Sequence, residues 1–330
     1  MSVLHITRDL PPRTRGGIST AVGLIVDQAR SQGETVSVVS FDGWRPSAKE
    51  GVVTVEGPVC RISGPAGLER ALAFAVEQSP RRIVVHHGML WDFASDVRAH
   101  TAAETCLFVH VAQRALRRQR GFTQPTRSEL AQEVALGEAD ALFVPGEAAR
   151  TLLAEDFPRE AARAQVVPMP RPPRLRSNAS REPGRVLLVG RFDTLKGTAD
   201  ALAALELLLA LRPEARLVLA GGLPDNRKSE RRWLRKWRLS VPEPVAERME
   251  FVGWLSTAEL ADQYARATVA LAPSHMETYG LALLEAQQHG CAVVVTDIAP
   301  HRERVDAAKP HAFVPPGDPR ALADATAEFL

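Results

Sequence analysis

Short runs of β-branched and aliphatic residues alternate with amphipathic stretches along almost the whole chain. The first run, Val3–Thr7, leads through a Pro/Gly-rich loop into a helical pattern from about Ile18 to Arg30, which Gly33 stops. Strands are then predicted at Thr35–Ser40, Gly51–Val55, Arg82–His86, Cys106–His110, Ala141–Val144 and Gln165–Pro168. Helical periodicity at about Gly67–Gln78 and Arg127–Gly137 separates several of them. Strands that alternate with helices in this way predict an α/β fold with a mostly parallel sheet.

The pattern breaks at PMPRPPRLRSNASREPG, residues 168–184, where proline is dense and apolar periodicity is lost; the stretch reads as a linker. Beyond it the alternation starts afresh. Strands are predicted at Val186–Val189, Arg216–Ala220, Met249–Val252, Val269–Ala272, Ala292–Thr296 and Ala312–Val314, with a helix from about Thr198 to Leu211. The expected architecture is two Rossmann-like α/β domains, 1–170 and 185–330, joined by a linker over 171–184.

Composition narrows the function classes more than it selects one. The 330 residues include 41 basic and 39 acidic side chains, a net charge of +2 that argues against a dedicated nucleic-acid binder. Apolar residues at 45% and charged residues at 24% are ordinary for a globular chain and exclude a disordered or fibrous one. Cys60, Cys106 and Cys291 form no CxxC pair, which fits a reducing cytoplasm. The apolar run in MSVLHITRDLPP is too short for a signal peptide, and no stretch approaches the roughly 18–20 apolar residues of a membrane span. A cytoplasmic protein is expected, with peripheral contact at the inner face of the membrane as a further option.

Three strand-to-helix loops carry candidate chemistry, at the position where open α/β sheets bind ligands. RGGIST puts Gly16 and Gly17 just before a helix, where bare backbone approaches a ligand and free N–H groups face an anion. VGRFDTLKG places Gly190, Arg191 and Lys196 beside the start of another helix; cations there oppose the helix dipole and call for an anion such as a diphosphate, or else stay solvated. PSHMETYGLALLEAQQHGCAVVVTD is the most specific. Glu277 sits in the loop, Thr278 is the expected N-cap, Gly280 opens the helix and Glu285 lies about one turn inside it. Helix N–H donors between two acceptor-only carboxylates suit a phosphate flanked by sugar hydroxyls.

Together the three loops resemble family 4 of the retaining nucleotide-sugar glycosyltransferases, with their two-domain GT-B architecture. PPRTRGGISTAVGLIVDQARSQGETVSVVS resembles the family's opening block, VGRFDTLKG its GR…KG loop, and FVGWLSTAELADQYARATVALAPSHMETYGLALLEAQQHGCAVVVTD its long block with an E-x7-E pair. The resemblance implies that Arg191 and Lys196 bind the donor pyrophosphate. It implies that Glu277, with the backbone of Thr278, Tyr279, Gly280 and Leu281, holds the transferred sugar, and that Glu285 holds the ribose. Gly253, Trp254 and Leu255 would border the base. Gly16 and Gly17 would reach the phosphates from the opposite domain, and His110 would lie near the sugar.

The implied reaction moves a sugar from a nucleoside-diphosphate donor, UDP or GDP, to a hydroxyl acceptor with retention. The acceptor would be a saccharide, a lipid-linked group or a small natural product. No cofactor is expected, and the absence of a DxD-like pair or a His/Cys cluster with ligand spacing predicts no metal. An epimerase on the same fold and a non-catalytic nucleotide-sugar binder are the alternatives. His86 and His87 are candidate acceptor-side residues. So are Arg114 and Arg117 in the basic stretch QRALRRQRGFTQPTR, which otherwise reads as a solvated loop. A second basic stretch, NRKSERRWLRKWRLS, sets Trp233 and Trp237 four apart, either on a membrane surface or packed inward. Members of the family usually continue beyond DPRALADATAEFL with helices that return to the first domain.

Overall fold

A computed structural model describes residues 2–11, 16–42, 52–222, 234, 235, 238 and 241–330. Trp233 and Trp237, with most of the stretch that holds them, therefore fall outside the described residues. The chain divides into two compact units, Met1–Pro170 and Arg171–Leu330.

The first unit contains β1 (Ser2–Thr7), β2 (Thr35–Ser40), β3 (Val53–Glu56), β4 (Val59–Ile62), β5 (Arg82–Val85), β6 (Glu104–Phe108), β7 (Ala141–Val144) and β8 (Ala164–Val166). Among the described residues they form one sheet in the order β3-β4-β2-β1-β5-β6-β7-β8. All neighbours are parallel except β3 and β4, an antiparallel hairpin turned at Gly57 with φ +57°. β4 was not expected, because four residues sharing a tight hairpin carry too little periodicity to register. Helices Trp91–His100, Gln113–Gln119, Glu147–Ala154 and Pro158–Arg163 also add to the predicted set. Gln113–Gln119 corrects the reading of the basic stretch as a loop over its first seven residues, which are helical.

The second unit contains β9 (Glu182–Arg191), β10 (Arg216–Gly222), β11 (Met249–Gly253), β12 (Ala267–Ala272), β13 (Ala292–Thr296) and β14 (His311–Val314), all parallel in the order β11-β10-β9-β12-β13-β14. β9 begins three residues inside the predicted linker. Its entry is anchored by Arg181, which donates to the carbonyl oxygen of His289 at 2.9 Å and to that of Ala267. Strands sandwiched by helices on both faces lose their alternation. AVVVT in β13 is buried at every position, and Leu187, Val218 and Val294 are fully enclosed. Helix Thr198–Leu211 covers one face, packing Leu202, Leu205 and Leu208 with Leu322 and Ala323 of helix Pro319–Ala327.

This strand order fixes where a ligand can sit. The sequence of connections reverses between β9 and β12, so the loops at their carboxyl ends diverge and leave a crevice. Those loops are Phe192–Gly197 and Pro273–Gly280. No described helix is long and apolar enough to cross a membrane.

Candidate functional site

β9 ends at Arg191, and Asp193 caps the following turn by accepting the Lys196 backbone N–H at 3.0 Å. Gly197, left-handed at φ +62°, then swings the chain into helix Thr198–Leu211. Across the crevice, β12 runs into Pro273–Gly280. His275 N–H donates to the Leu195 carbonyl at 2.9 Å, which ties the two loops together. Here His275 Nε2 also lies 2.6 Å from an Asp200 carboxylate oxygen.

The tie brings Lys196 and Glu277 into a direct ion pair. Burial alone would raise the Glu277 pKa. The Lys196 ammonium beside it, and the Thr278 N–H donated to its carboxylate at 3.0 Å, lower it instead to about 2. Glu277 is thus a firmly ionised, acceptor-only group, and a poor general acid. Lys196, Glu277 and Gly280 line one pocket, together with Pro273, Ser274 and His301.

Helix Leu281–Gln288 begins at that pocket. Its N-cap is Gly280, left-handed at φ +85°, with no side-chain cap and no acidic residue in the first turn. Thr278, the expected N-cap, lies two residues upstream, because the left-handed turn needs a residue without a Cβ at position 280. The N–H groups at this end are left to a ligand or to water. Leu281 is the first helical residue, and Tyr279 is buried with the Arg304 guanidinium 4.4 Å over its ring.

Glu285, within the helix, accepts the Tyr264 hydroxyl at 2.9 Å. Burial pushes its carboxyl up to about 7, against the lowering effect of that hydrogen bond. Arg191 is one-third exposed and loosely paired with Asp193 at 3.4 Å. Gly190 is a point of close approach: a Cβ on Gly221 would fall 2.0 Å from its carbonyl oxygen. Gly253 ends β11 at φ +72°, Trp254 is exposed, and Leu255 packs on the sheet.

In the first unit, Gly16 is the N-cap and Gly17 the first residue of helix Gly17–Ser31. His110 lies two residues past β6 and is buried. It belongs to a chain of three rings, His5 Nδ1 to His86 Nε2 at 2.8 Å and His86 Nδ1 to His110 Nε2 at 2.9 Å. Burial lowers all three, His110 to about 3 and His5 to about 4, so the rings are neutral and share protons along one line. Both nitrogens of His86 are thereby engaged by the neighbouring rings. His87 is half-buried and accepts the Arg8 N–H at 3.4 Å.

Arg114 and Arg117 are not free cations either. Arg117 bonds the buried Glu129 at 2.8 Å; Arg114 pairs with Glu133 and Glu129 and stacks on Phe157. An enclosed carboxylate needs such partners, and that need decides where the two guanidinium groups go.

Residues 183–330 match the family described as Glycosyl transferases group 1, and residues 16–170 match the Glycosyl transferase 4-like domain. The chain belongs to the family 4 glycosyltransferases. Among its relatives, the glycogen synthase of Mycobacterium tuberculosis is 34% identical over 152 residues, 45% of this chain and 34% of that protein. The D-inositol 3-phosphate glycosyltransferase of Acidothermus cellulolyticus is 33% identical over 149 residues, 44% of this chain and 33% of that protein. The matched stretch thus spans about a third of these curated relatives. The fold is that of GT-B enzymes. Sucrose-phosphate synthase from Thermosynechococcus elongatus aligns at a TM-score of 0.71 and 18% identity, over 99% of this chain and 89% of that one. Anabaena HepE in complex with UDP-glucose aligns at 0.71 and 16%, over 98% and 88%.

Two features of the site had no counterpart in the sequence reading. His301 lines the pocket from helix Ala299–Arg304, and Tyr264 reaches Glu285 across 21 positions. A strand end followed by His was the available signal for the first; nothing local marks the second.

Proposed function

We propose that this glycosyltransferase is a retaining, metal-independent enzyme. It would take a sugar from a nucleoside-diphosphate donor, UDP or GDP, and pass it to a hydroxyl acceptor. The observation that carries the reading is the Lys196–Glu277 pair at the uncapped N-terminus of helix Leu281–Gln288, in the crevice between β9 and β12.

The reaction converts R–OH and NDP-sugar into R–O–sugar and NDP. The anomeric C–O bond to phosphate breaks, the acceptor oxygen bonds to the same face, and the leaving diphosphate takes the acceptor proton. Negative charge grows on the departing oxygen, where Lys196, Arg191 and the helix N–H groups oppose it. Glu277, ionised throughout, accepts hydrogen bonds from hydroxyls of the transferred sugar. Glu285 accepts those of the ribose. The free, buried Cys60, Cys106 and Cys291 support a reducing compartment.

A panel of UDP-, GDP- and dTDP-sugars tests this through thermal shift and nucleotide release, with and without saccharide acceptors. One donor is expected to raise the midpoint and release its nucleotide. Binding without release in any acceptor screen would make the chain a binding protein instead.

Glu285 adds a pH signature. A carboxyl raised to about 7 by burial stays protonated below that value and accepts ribose hydroxyls less well. Affinity for the nucleotide, measured by calorimetry, is expected to rise between pH 6 and 8, and Glu285→Gln to flatten the rise. By the same sign the ligand-free fold gains from this group below the ordinary carboxylate pKa and loses that gain as pH climbs through 7. A flat profile in the native chain would take Glu285 out of the nucleotide site.

A further inference from the structure

One buried ring in the donor pocket has an unused nitrogen. His301 is fully enclosed, at 0% exposure, on the short helix that follows β13. Its Nδ1 lies 2.9 Å from the Thr296 carbonyl oxygen and 3.2 Å from the Thr296 hydroxyl oxygen. The carbonyl can only accept, and the hydroxyl has committed its own proton to the Ser274 carbonyl at 2.6 Å. Both neighbours therefore require Nδ1 to carry the ring proton. Burial keeps the imidazole neutral, so Nε2 is a bare lone pair. It has no hydrogen-bond partner among the described residues.

An enclosed acceptor without a partner is costly, and native interiors rarely keep one unless a ligand or water completes it. The ring faces the pocket shared by Lys196, Glu277 and Gly280. It stands across Gly280 from the Glu277 carboxylate: a Cβ on Gly280 would lie 3.9 Å from both His301 Cδ2 and Glu277 Cγ. The missing side chain at 280 thus leaves room between the two groups.

Resting on the reading above, we infer that His301 Nε2 accepts a hydrogen bond from a hydroxyl of the transferred sugar. It makes the enzyme selective for donors that carry that hydroxyl. The diphosphate cannot be the partner, because its oxygens offer only acceptors and would meet lone pair with lone pair. A sugar hydroxyl supplies the missing proton while its oxygen stays free for a second contact. Sites that hydrogen-bond a substrate hydroxyl discriminate strongly against analogues lacking it, since the buried partner is then left unpaired.

His301→Asn tests this. Its amide NH2 falls near the place of Nδ1–H and keeps the Thr296 contact, while nothing occupies Nε2. Calorimetry with UDP, GDP and their hexose conjugates is expected to show nucleotide affinity within about twofold of the native chain, and affinity for the accepted nucleotide-sugar reduced by roughly tenfold or more. With a series of monodeoxy donors, one analogue should bind the native and variant proteins equally. Equal loss for nucleotide and nucleotide-sugar, or no deoxy donor that erases the difference, would overturn the inference. Should the variant fold poorly, the native chain answers by 15N NMR. The His301 Nε2 signal must move on adding the nucleotide-sugar and stay put with the nucleotide alone; the same movement with both would also refute it. A native chain that binds no nucleotide at all would instead sink the donor reading on which the inference rests.

Discussion

Lys196→Ala is expected to lower turnover of the nucleotide-sugar by about 10²–10³-fold. On the proposed reading, the substitution removes the cation that would face the leaving diphosphate; Lys196 lines a partly enclosed pocket, where its field is least screened. It also strips Glu277 of its direct partner. Burial is the largest influence on that carboxyl and acts upward, so without the ammonium its pKa must climb from about 2. In the native chain the depressed value contributes stability above the ordinary carboxylate range, and that contribution is lost as pH falls toward 2. The variant should therefore show two coupled changes: a fall in kcat, and a Glu277 carboxyl that titrates at visibly higher pH by 13C NMR. Turnover within threefold of native would show that Lys196 does not face the leaving group.

The second large effect falls on the fold. Gly197→Ala should cost about 2–5 kcal/mol of stability in the second unit, read from the denaturant midpoint, with donor affinity falling alongside. Two terms add. A residue with a Cβ resists the left-handed conformation at φ +62°, at roughly 1–2 kcal/mol. The new Cβ would also lie 1.8 Å from the Pro273 carbonyl oxygen, which belongs to backbone and cannot rotate away, and such overpacking typically costs about 1–3 kcal/mol. Moving that backbone would part the two loops that hold Lys196 and Glu277 together. Gly137→Ala is the matching control. It lies in helix Arg127–Glu138 with open space at its Cβ position, and should gain up to about 1 kcal/mol from helix propensity. A loss below about 1 kcal/mol at Gly197 would mean that the loops adjust freely.

Much of the secondary structure was legible because buried parallel strands and covering helices leave strong, long patterns. Helix Thr198–Leu211 and the strands Thr35–Ser40, Ala141–Val144 and Ala292–Thr296 begin and end where the pattern placed them. Short elements fared worse. β4 and helix Gln113–Gln119 are too brief for a period to emerge, and arginines on the helix resembled a solvated loop. Arg114 and Arg117 looked available to a ligand because the acid that engages them, Glu129, lies on another helix.

The candidate site divides along the same line. Which residue types gather in the loops after β9 and β12 could be read from local order alone: glycines where backbone must turn left-handed, cations before a helix, carboxylates on either side of its start. Local sequence decides those features because backbone conformation and the helix dipole act over a few residues. Pairing across the sheet is different. That Lys196 meets Glu277, 81 positions away, follows from β9 lying beside β12. That Glu285 meets Tyr264, and that the His301 ring packs beside Gly280 with Nε2 unpartnered among the described residues, also depends on strand order and close packing. A side chain's charge state is set by what surrounds it in space, through desolvation and neighbouring charge, and chain order carries no record of those neighbours until the sheet has formed.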